Sequence, residues 1–201
     1  MALKEGFNTA PGKIMMQGKC TPADLARIAT HSRYRKIDFW NCRLPSLECL
    51  LPLKKLESYC QYGGTVSDYS ALAQVPTLAE LFLNSINGYG DLSFVKPLVQ
   101  IKSLHLLYLN KLEAFPDLAG HTSLKHVFLW NCKRLADISA LTKIPHLETL
   151  DFVDTPQGPD ELEFLLKPDN IRRVNATFGT VKANKRMDDM LRHYGKSKHE
   201  E

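Results

Sequence analysis

Apolar residues return along this chain in one phrase: an apolar position, two variable ones, a second apolar position, one variable residue, and a third apolar position. The phrase is clean at Leu78/Leu81/Leu83, Leu104/Leu107/Leu109, Leu124/Val127/Leu129 and Leu147/Leu150/Phe152. Looser versions stand at Tyr34/Ile37/Phe39, Leu53/Leu56/Ser58 and Ile171/Val174/Ala176. Successive starts lie 19 to 26 residues apart. A recurrence of this length marks units that cannot bury their own apolar edge and must stack on neighbours. The end of each phrase alternates apolar and mixed residues, as a half-buried strand does. Each unit is therefore predicted to be a short strand followed by a return through a turn or short helix.

The returns repeat as well. VSDYSALAQVPTL (66–78) and ADISALTKIPHL (136–147) share D-[YI]-S-A-L, then an apolar residue and Pro before the next leucine. DLSFVKPLVQIKSL (91–104) starts the same way and is longer, while the return at Asp117-Leu118 is truncated. On these residues, and above all on LKHVFLWNCKRLADISALTKIPHLETLDF (124–152), the chain resembles the leucine-rich repeats of the internalin-like and phosphatase-regulator-like class. The resemblance covers roughly residues 34–178. It implies an α/β fold: a curved leucine-rich-repeat solenoid of about seven repeats, with a short parallel sheet on the concave face, and a role in binding rather than catalysis. Two departures stand out. Ser58 replaces an inward leucine, and Gly63-Gly64 sits in the same unit, where regular strand geometry is not expected.

Helical caps are expected at both ends, because a terminal layer of a repeat stack would otherwise expose apolar side chains. Thr21 as N-cap, Pro22 at the first helical position, and Leu25, Ile28 and Ala29 on one face predict a helix over 21–33. Residues 1 to about 20 show no clear period and read as an irregular lead-in, which makes 1–33 an N-terminal lead-in and cap. Asp160 and Glu163 form a capping arrangement ahead of Phe164, Leu165 and Leu166. After the solenoid (34–178), Asn184 is the predicted cap of a last helix carrying Met187, Met190, Leu191 and Tyr194 on one stripe, so 179–201 reads as a C-terminal cap and basic tail.

Side chains alternate along a strand, so the residues between and just after the inward leucines face the concave side. The phrase places Asp38, Glu57, Phe82, Tyr108, Phe128 and Asp151 there, followed two residues later by Trp40, Tyr59, Asn110 and Trp130. Glu80 and His126 join the same face. Both tryptophans of the chain thus fall on one surface, and soluble proteins rarely expose such an aromatic patch without a use. The charges among these residues are mixed, which argues against a phosphate-tracking groove.

Composition narrows the role. The net charge is +4, but residues 172–198 alone hold eight Lys or Arg against two Asp, so nucleic acid is expected, if anywhere, only at the basic tail. The five cysteines are odd in number and lack C-x-x-C spacing, so no zinc site or disulfide framework is predicted. Cys42 and Cys132 fall where a leucine-rich repeat takes an inward Asn or Cys. No apolar run is long enough for a signal peptide or a membrane span, and the chain reads as cytoplasmic. No cofactor, metal or catalytic signature is present, and a Cys60 nucleophile has no histidine placed beside it by the pattern. The leading expectation is a protein-binding scaffold. It resembles the immunity or antitoxin-like inhibitors that occlude a bacterial toxin domain. The alternative is a regulatory subunit or adaptor of a phosphatase or ligase complex.

Overall fold

The computed structural model describes residues 5–86, 88 and 90–198. The chain forms two compact units, residues 1–88 and 89–201. The first opens with β1 (Gly6–Ala10), β2 (Lys13–Gln17) and α1 (Pro22–Ala29), and continues with β3 (Lys36–Trp40), β4 (Arg43–Leu44), β5 (Ser58–Tyr62), β6 (Thr65–Val66) and β7 (Glu80–Asn84). Its main sheet runs β1-β2-β3-β5-β7. β1 pairs antiparallel with β2, and every later pair in this sheet is parallel. β4 and β6 form a separate parallel pair behind β3 and β5 in sequence. The second unit stacks β8 (Ser103–Leu107), β9 (His126–Trp130), β10 (Thr149–Val153) and β11 (Arg173–Thr177) in parallel. It ends in α2 (Val181–His193).

Alternate residues of each strand from β2 onward in the main sheet point into the core, as a sheet with a single packed face requires. The inward pairs are Ile14/Met16, Ile37/Phe39, Tyr59/Gln61 and Leu81/Leu83 in the first unit, all buried. In the second they are Leu104/Leu106, Val127/Leu129, Leu150/Phe152 and Val174/Ala176. Parallel strands need a crossover; between β2 and β3 it is α1, and most of the later crossovers are short 3₁₀ turns. The D-x-S signal builds that turn: Asp68 Oδ1 accepts from the Ser70 N–H at 2.7 Å, Asp91 from Ser93 at 2.8 Å, and Asp137 from Ser139 at 2.9 Å. An aspartate bonding its own backbone two residues on fixes a turn locally. Asp117 does the same with Ala119 at 3.2 Å, although no 3₁₀ helix follows it.

The strands end on a common device. Gly18, Asn41, Gly63, Ser85, Tyr108, Asn131 and Asp154 each follow the last strand residue and adopt φ between +51° and +67°. They recur every 22 or 23 residues. In five of them the left-handed turn aims the N–H along the sheet: Gly18 donates to the Trp40 carbonyl, Asn41 to Tyr62, Gly63 to Asn84, Tyr108 to Trp130 and Asn131 to Val153, at 2.7–2.8 Å. Asn, Asp and Gly tolerate this backbone best, which explains their preponderance at the position.

This register corrects two of the seven sequence phrases. The 53–58 phrase is set three residues early. The packed triplet is Leu56/Tyr59/Gln61, so Ser58 replaces no leucine, and β5 is a regular five-residue strand despite Gly63-Gly64. The 104–109 phrase is set three residues late, the true triplet being Ile101/Leu104/Leu106. An odd shift exchanges the two faces of a strand. The true repeats are more even than the expected 19–26 residues. The segment read as an irregular lead-in is also ordered: Ile14 and Met16 alternate inward, and β2 carries the same left-handed exit at Gly18 as the repeats that follow.

Both helices form. Thr21 Oγ1 accepts from the Asp24 N–H at 3.2 Å and Asp24 Oδ2 accepts from the Thr21 N–H at 3.0 Å, closing a capping box on α1. The helix stops at Ala29, short of the expected residue 33. α2 starts before Asn184, on Thr180, whose hydroxyl accepts from the Ala183 N–H at 3.2 Å. Asn184 instead clamps Phe178, taking its N–H at 2.9 Å and donating to its carbonyl at 3.0 Å. Of the predicted stripe, Met187, Met190 and Leu191 are buried, while Tyr194 is half-buried and its hydroxyl donates to Glu163 Oε1 at 2.8 Å. Beyond it, Ser197 bridges to Arg173 and its carbonyl accepts from the Val174 N–H at 3.1 Å, covering the outer edge of β11. Residues 199–201 of the tail lie outside the described residues.

Candidate functional site

The outward positions of the strands make the candidate surface of each unit. In the first unit, Trp40, Tyr62 and Phe82 occupy neighbouring strands. The Trp40 and Tyr62 rings stack with centroids 3.9 Å apart and planes 8° from parallel, and Tyr62 tilts against Phe82 at 5.1 Å. Trp40 Nε1 has no hydrogen-bond partner among the described residues, though a buried indole N–H usually finds one. Nearer the start of the strands, Asp38 is buried and takes a 2.5 Å ion pair from Lys13 Nζ; in register Cys60 lies between Asp38 and Phe82, and Glu80 stands opposite Ser58. Burial pushes the Cys60 thiol up to about 12 and the Tyr62 phenol up to about 12. A thiol held neutral in this way is a poor nucleophile, which removes the Cys60 candidate.

The second unit is different. Across β8, β9, β10 and β11, a polar row runs from Ser103 through His126 and Asp151 to Asn175. Ser103 Oγ lies 2.7 Å from His105 Nε2 and 3.3 Å from His126 Nδ1. His126 Nε2 lies 2.6 Å from Asp151 Oδ2, and Asn175 Nδ2 donates to Asp151 Oδ1 at 3.1 Å. Burial raises the Asp151 carboxyl, but hydrogen bonds from His126 and Asn175, with the nearby charge of His126 and His105, outweigh it and leave Asp151 below its ordinary range. A cleft of about 440 Å³ opens beside the row, lined by Lys125, His126, Thr149, Asp151, Arg173 and Asn175 among others. Above the row, Phe128 and Trp130 share β9, Tyr108 tilts against Trp130 at 5.5 Å, and Trp130 and Tyr108 are 37% and 36% exposed. The order Ser-His-Asp is that of an acyl-transfer triad. Here, however, the shorter bond of Ser103 goes to a second histidine, and the row braces four strands.

Of the predicted face, Asp38, Trp40, Glu80, Phe82, His126, Phe128, Trp130 and Asp151 lie on the outward side of their strands. Four residues do not. Tyr59 points inward and is fully buried, its hydroxyl donating to Gln61 Oε1 at 2.9 Å. Glu57 precedes β5 and pairs with Arg35. Tyr108 is the left-handed residue after β8, near Trp130 but off the strand, and Asn110 lies exposed in the following turn. The same two register shifts hid Cys60, Tyr62, Ser103, His105 and Leu107, which hold the outward positions of β5 and β8. The spacing of Asn41 and Asn131, which equals four even repeats, was the signal that could have placed them.

No protein-family model matches the chain, and no curated protein matches it. Among solved structures the chain is similar to an internalin (InlF) of Listeria monocytogenes, with a TM-score of 0.50 at 16% identity over 88% of this chain. The chain spans 58% of the length of that structure. An internalin C2 (InlC2) of the same organism is similar over 82% of this chain and 80% of its own, at 19% identity and a TM-score of 0.44. At such identities the first likeness shows the fold, and it agrees with the strand ladder and left-handed exits above: the chain has the leucine-rich-repeat fold.

Proposed function

We propose that this chain is a non-catalytic scaffold that binds a protein partner through the outward side of its strands. The observation that carries this reading is aromatic: Trp40, Tyr62 and Phe82 in one unit, and Phe128 and Trp130 in the other, stand on the sheet face opposite the core, with Tyr108 against Trp130 from the turn after β8. Tryptophan and tyrosine give large contact area for few frozen torsions and dominate binding hot spots. The His126–Asp151 row beside Phe128 adds directional polar groups of the kind that fix register at an interface. As a finer proposal, the chain is a dedicated inhibitor of the immunity or antitoxin-like kind, acting on a toxin domain. In support, each unit gathers its aromatic and polar groups on one sheet face, which suits occlusion of a partner surface better than the bridging of two partners by a phosphatase or ligase adaptor.

Nucleic acid is the weaker partner on electrostatic grounds. Lys185, Arg186, Arg192 and Lys198 of the basic segment each pair with a carboxylate, which reduces the charge left for phosphate. No helix among the described residues is long and apolar enough to cross a membrane. We propose cytoplasmic residence on the five free cysteines, which suit a reducing compartment.

The test is affinity capture with the tagged wild-type chain beside a Trp40→Ala/Trp130→Ala variant, read by mass spectrometry. A stoichiometric protein retained by the wild type and lost by the variant supports the reading, and a toxin domain in that role supports the inhibitor. Equal retention by both chains overturns it.

A further inference from the structure

Two of the free thiols meet. Cys20 and Cys42 lie 22 residues apart, one full repeat, and their sulfurs are 3.3 Å from each other. The backbone holds them there. Gly18 and Asn41 make equivalent left-handed turns in consecutive repeats, and the Gly18 N–H donates to the Trp40 carbonyl at 2.8 Å. A disulfide has a sulfur separation of about 2.05 Å, so bond formation requires a closure of roughly an ångström at the end of two short side chains. The two thiols differ in access: Cys42 is buried at 2% exposure, whereas Cys20 is partly exposed. Cys132 occupies the position of Cys42 in a later repeat and shows the purely structural alternative. Its thiol donates to the Leu106 and Trp130 carbonyls at 3.5 and 3.7 Å, and no second cysteine adjoins it among the described residues.

We infer that Cys20 and Cys42 are a thiol–disulfide modification site, closed reversibly by exchange with a small-molecule disulfide of the glutathione class. The Cys20 thiolate attacks one sulfur of the oxidant, forming a mixed disulfide and releasing one small thiol. Cys42, losing its proton, attacks Cys20 Sγ and displaces the second small thiol. Two protein thiols are oxidised, one small disulfide is reduced to two thiols, and atoms and electrons balance. The roles follow from the environment. The neighbouring Cys42 thiol lowers Cys20 below its ordinary range, which raises the thiolate fraction of the accessible partner. Cys42 is shifted upward by its contact with Cys20 and by burial, and burial also raises Cys49, Cys60 and Cys132. Cys20 is thus the only cysteine of the chain with a downward shift. The closed bond would join the exits of β2 and β3 beside Trp40, the anchor of the aromatic stripe.

The experiment equilibrates the full chain in glutathione buffers of increasing oxidised fraction, then counts thiols and maps linked peptides by mass spectrometry. The expected result is a fall from five free thiols to three, a Cys20–Cys42 linked peptide, recovery on reduction, and a melting midpoint raised by several degrees. Cys20→Ser, at a partly exposed site, should fold and keep its four thiols. Cys42→Ala should stop at a glutathione adduct on Cys20. The inference is overturned by a wild-type chain that keeps all five thiols across the series, that stops at a mixed disulfide, or that links Cys20 to Cys49.

Discussion

Residues 1–88 and 89–201 build the same repeat and dress its outward face differently. In the first unit, the middle and end positions of β3, β5 and β7 carry a continuous ring stack, Trp40 on Tyr62 on Phe82, beside the ion pair of Lys13 and Asp38. In the second, the hydrogen-bonded row runs from Ser103 and His126 at the starts of β8 and β9 to Asp151 and Asn175 in the middle of β10 and β11, and the Phe, Tyr and Trp rings beside it are Phe128, Trp130 and the turn residue Tyr108. The inward side shows the reverse contrast. The second unit packs only aliphatic and Phe side chains at its paired strand positions, while the first admits Gln61 into the leucine ladder. Both polar atoms of that amide are engaged: Tyr59 and Tyr69 hydroxyls donate to its oxygen at 2.9 and 2.7 Å, and its nitrogen donates to the Gly63 carbonyl at 3.1 Å. A backbone ladder and a buried face define the fold, and within those limits the outward residues are free to take on recognition.

The contrast can be broken at Gly64. A β-carbon there would fall 2.1 Å from the Cys42 carbonyl oxygen, in a backbone with φ of +74°, whereas the second unit holds Cys132 one residue after its left-handed turn without strain. Gly64→Ala should therefore cost about 3 kcal/mol or more, read by urea unfolding, while Cys132→Ala should cost about 1 kcal/mol. Next in size are the anchors. Trp130→Ala and Trp40→Ala should each weaken partner binding by about 2 kcal/mol with the circular dichroism spectrum unchanged; calorimetric titration that finds one of them neutral would confine recognition to the other unit. Gln61→Leu would make the first core resemble the second, yet it removes the acceptor that the Tyr59 and Tyr69 hydroxyls share and should destabilise by about 1–2 kcal/mol. The smallest effect belongs to Asp151. Its carboxyl is held below its ordinary range, so the native state binds fewer protons than the unfolded chain as pH falls through about 4. Its contribution is present above that range and lost below it. Asp151→Asn should cost about 1 kcal/mol at neutral pH and flatten the acid limb of the stability curve, read by urea unfolding across pH.

Much of this was legible in the residues. Leu78/Leu81/Leu83 and Leu124/Val127/Leu129 each offered one way to alternate, and their outward neighbours Phe82, Phe128 and Trp130 were placed correctly. Around Leu104 the chain reads Leu104-His105-Leu106-Leu107-Tyr108-Leu109, which satisfies the apolar phrase in two frames. Leucine spacing alone cannot choose between them, and the wrong frame exchanged His105 for Tyr108. Around Leu53 and Leu56 the opposite difficulty arose: the true strand carries Tyr59 and Gln61, so the apolar phrase favoured a false start. What decides both cases is the left-handed exit, a backbone requirement that Asn41 and Asn131 advertise and that Ser85 and Tyr108 satisfy without a recognisable signature. The polar row was beyond the sequence, because Ser103, His126 and Asp151 lie 23 and 25 residues apart and only the register of three strands brings them together.

The even exit has a consequence for how such a chain grows. Gly18, Asn41 and Gly63 in the first unit, and Tyr108 and Asn131 in the second, each hand an N–H to the end of the strand that follows, so these junctions present the same plug and socket. A duplicated segment of 22 or 23 residues cut at that point would dock on both flanks with no loose backbone group, whereas one cut elsewhere, or of another length, would leave a donor and an acceptor unmatched inside the stack. Lengthening by whole units, at Gly63 or Asn131 for example, is the form of sequence change this architecture accepts most readily.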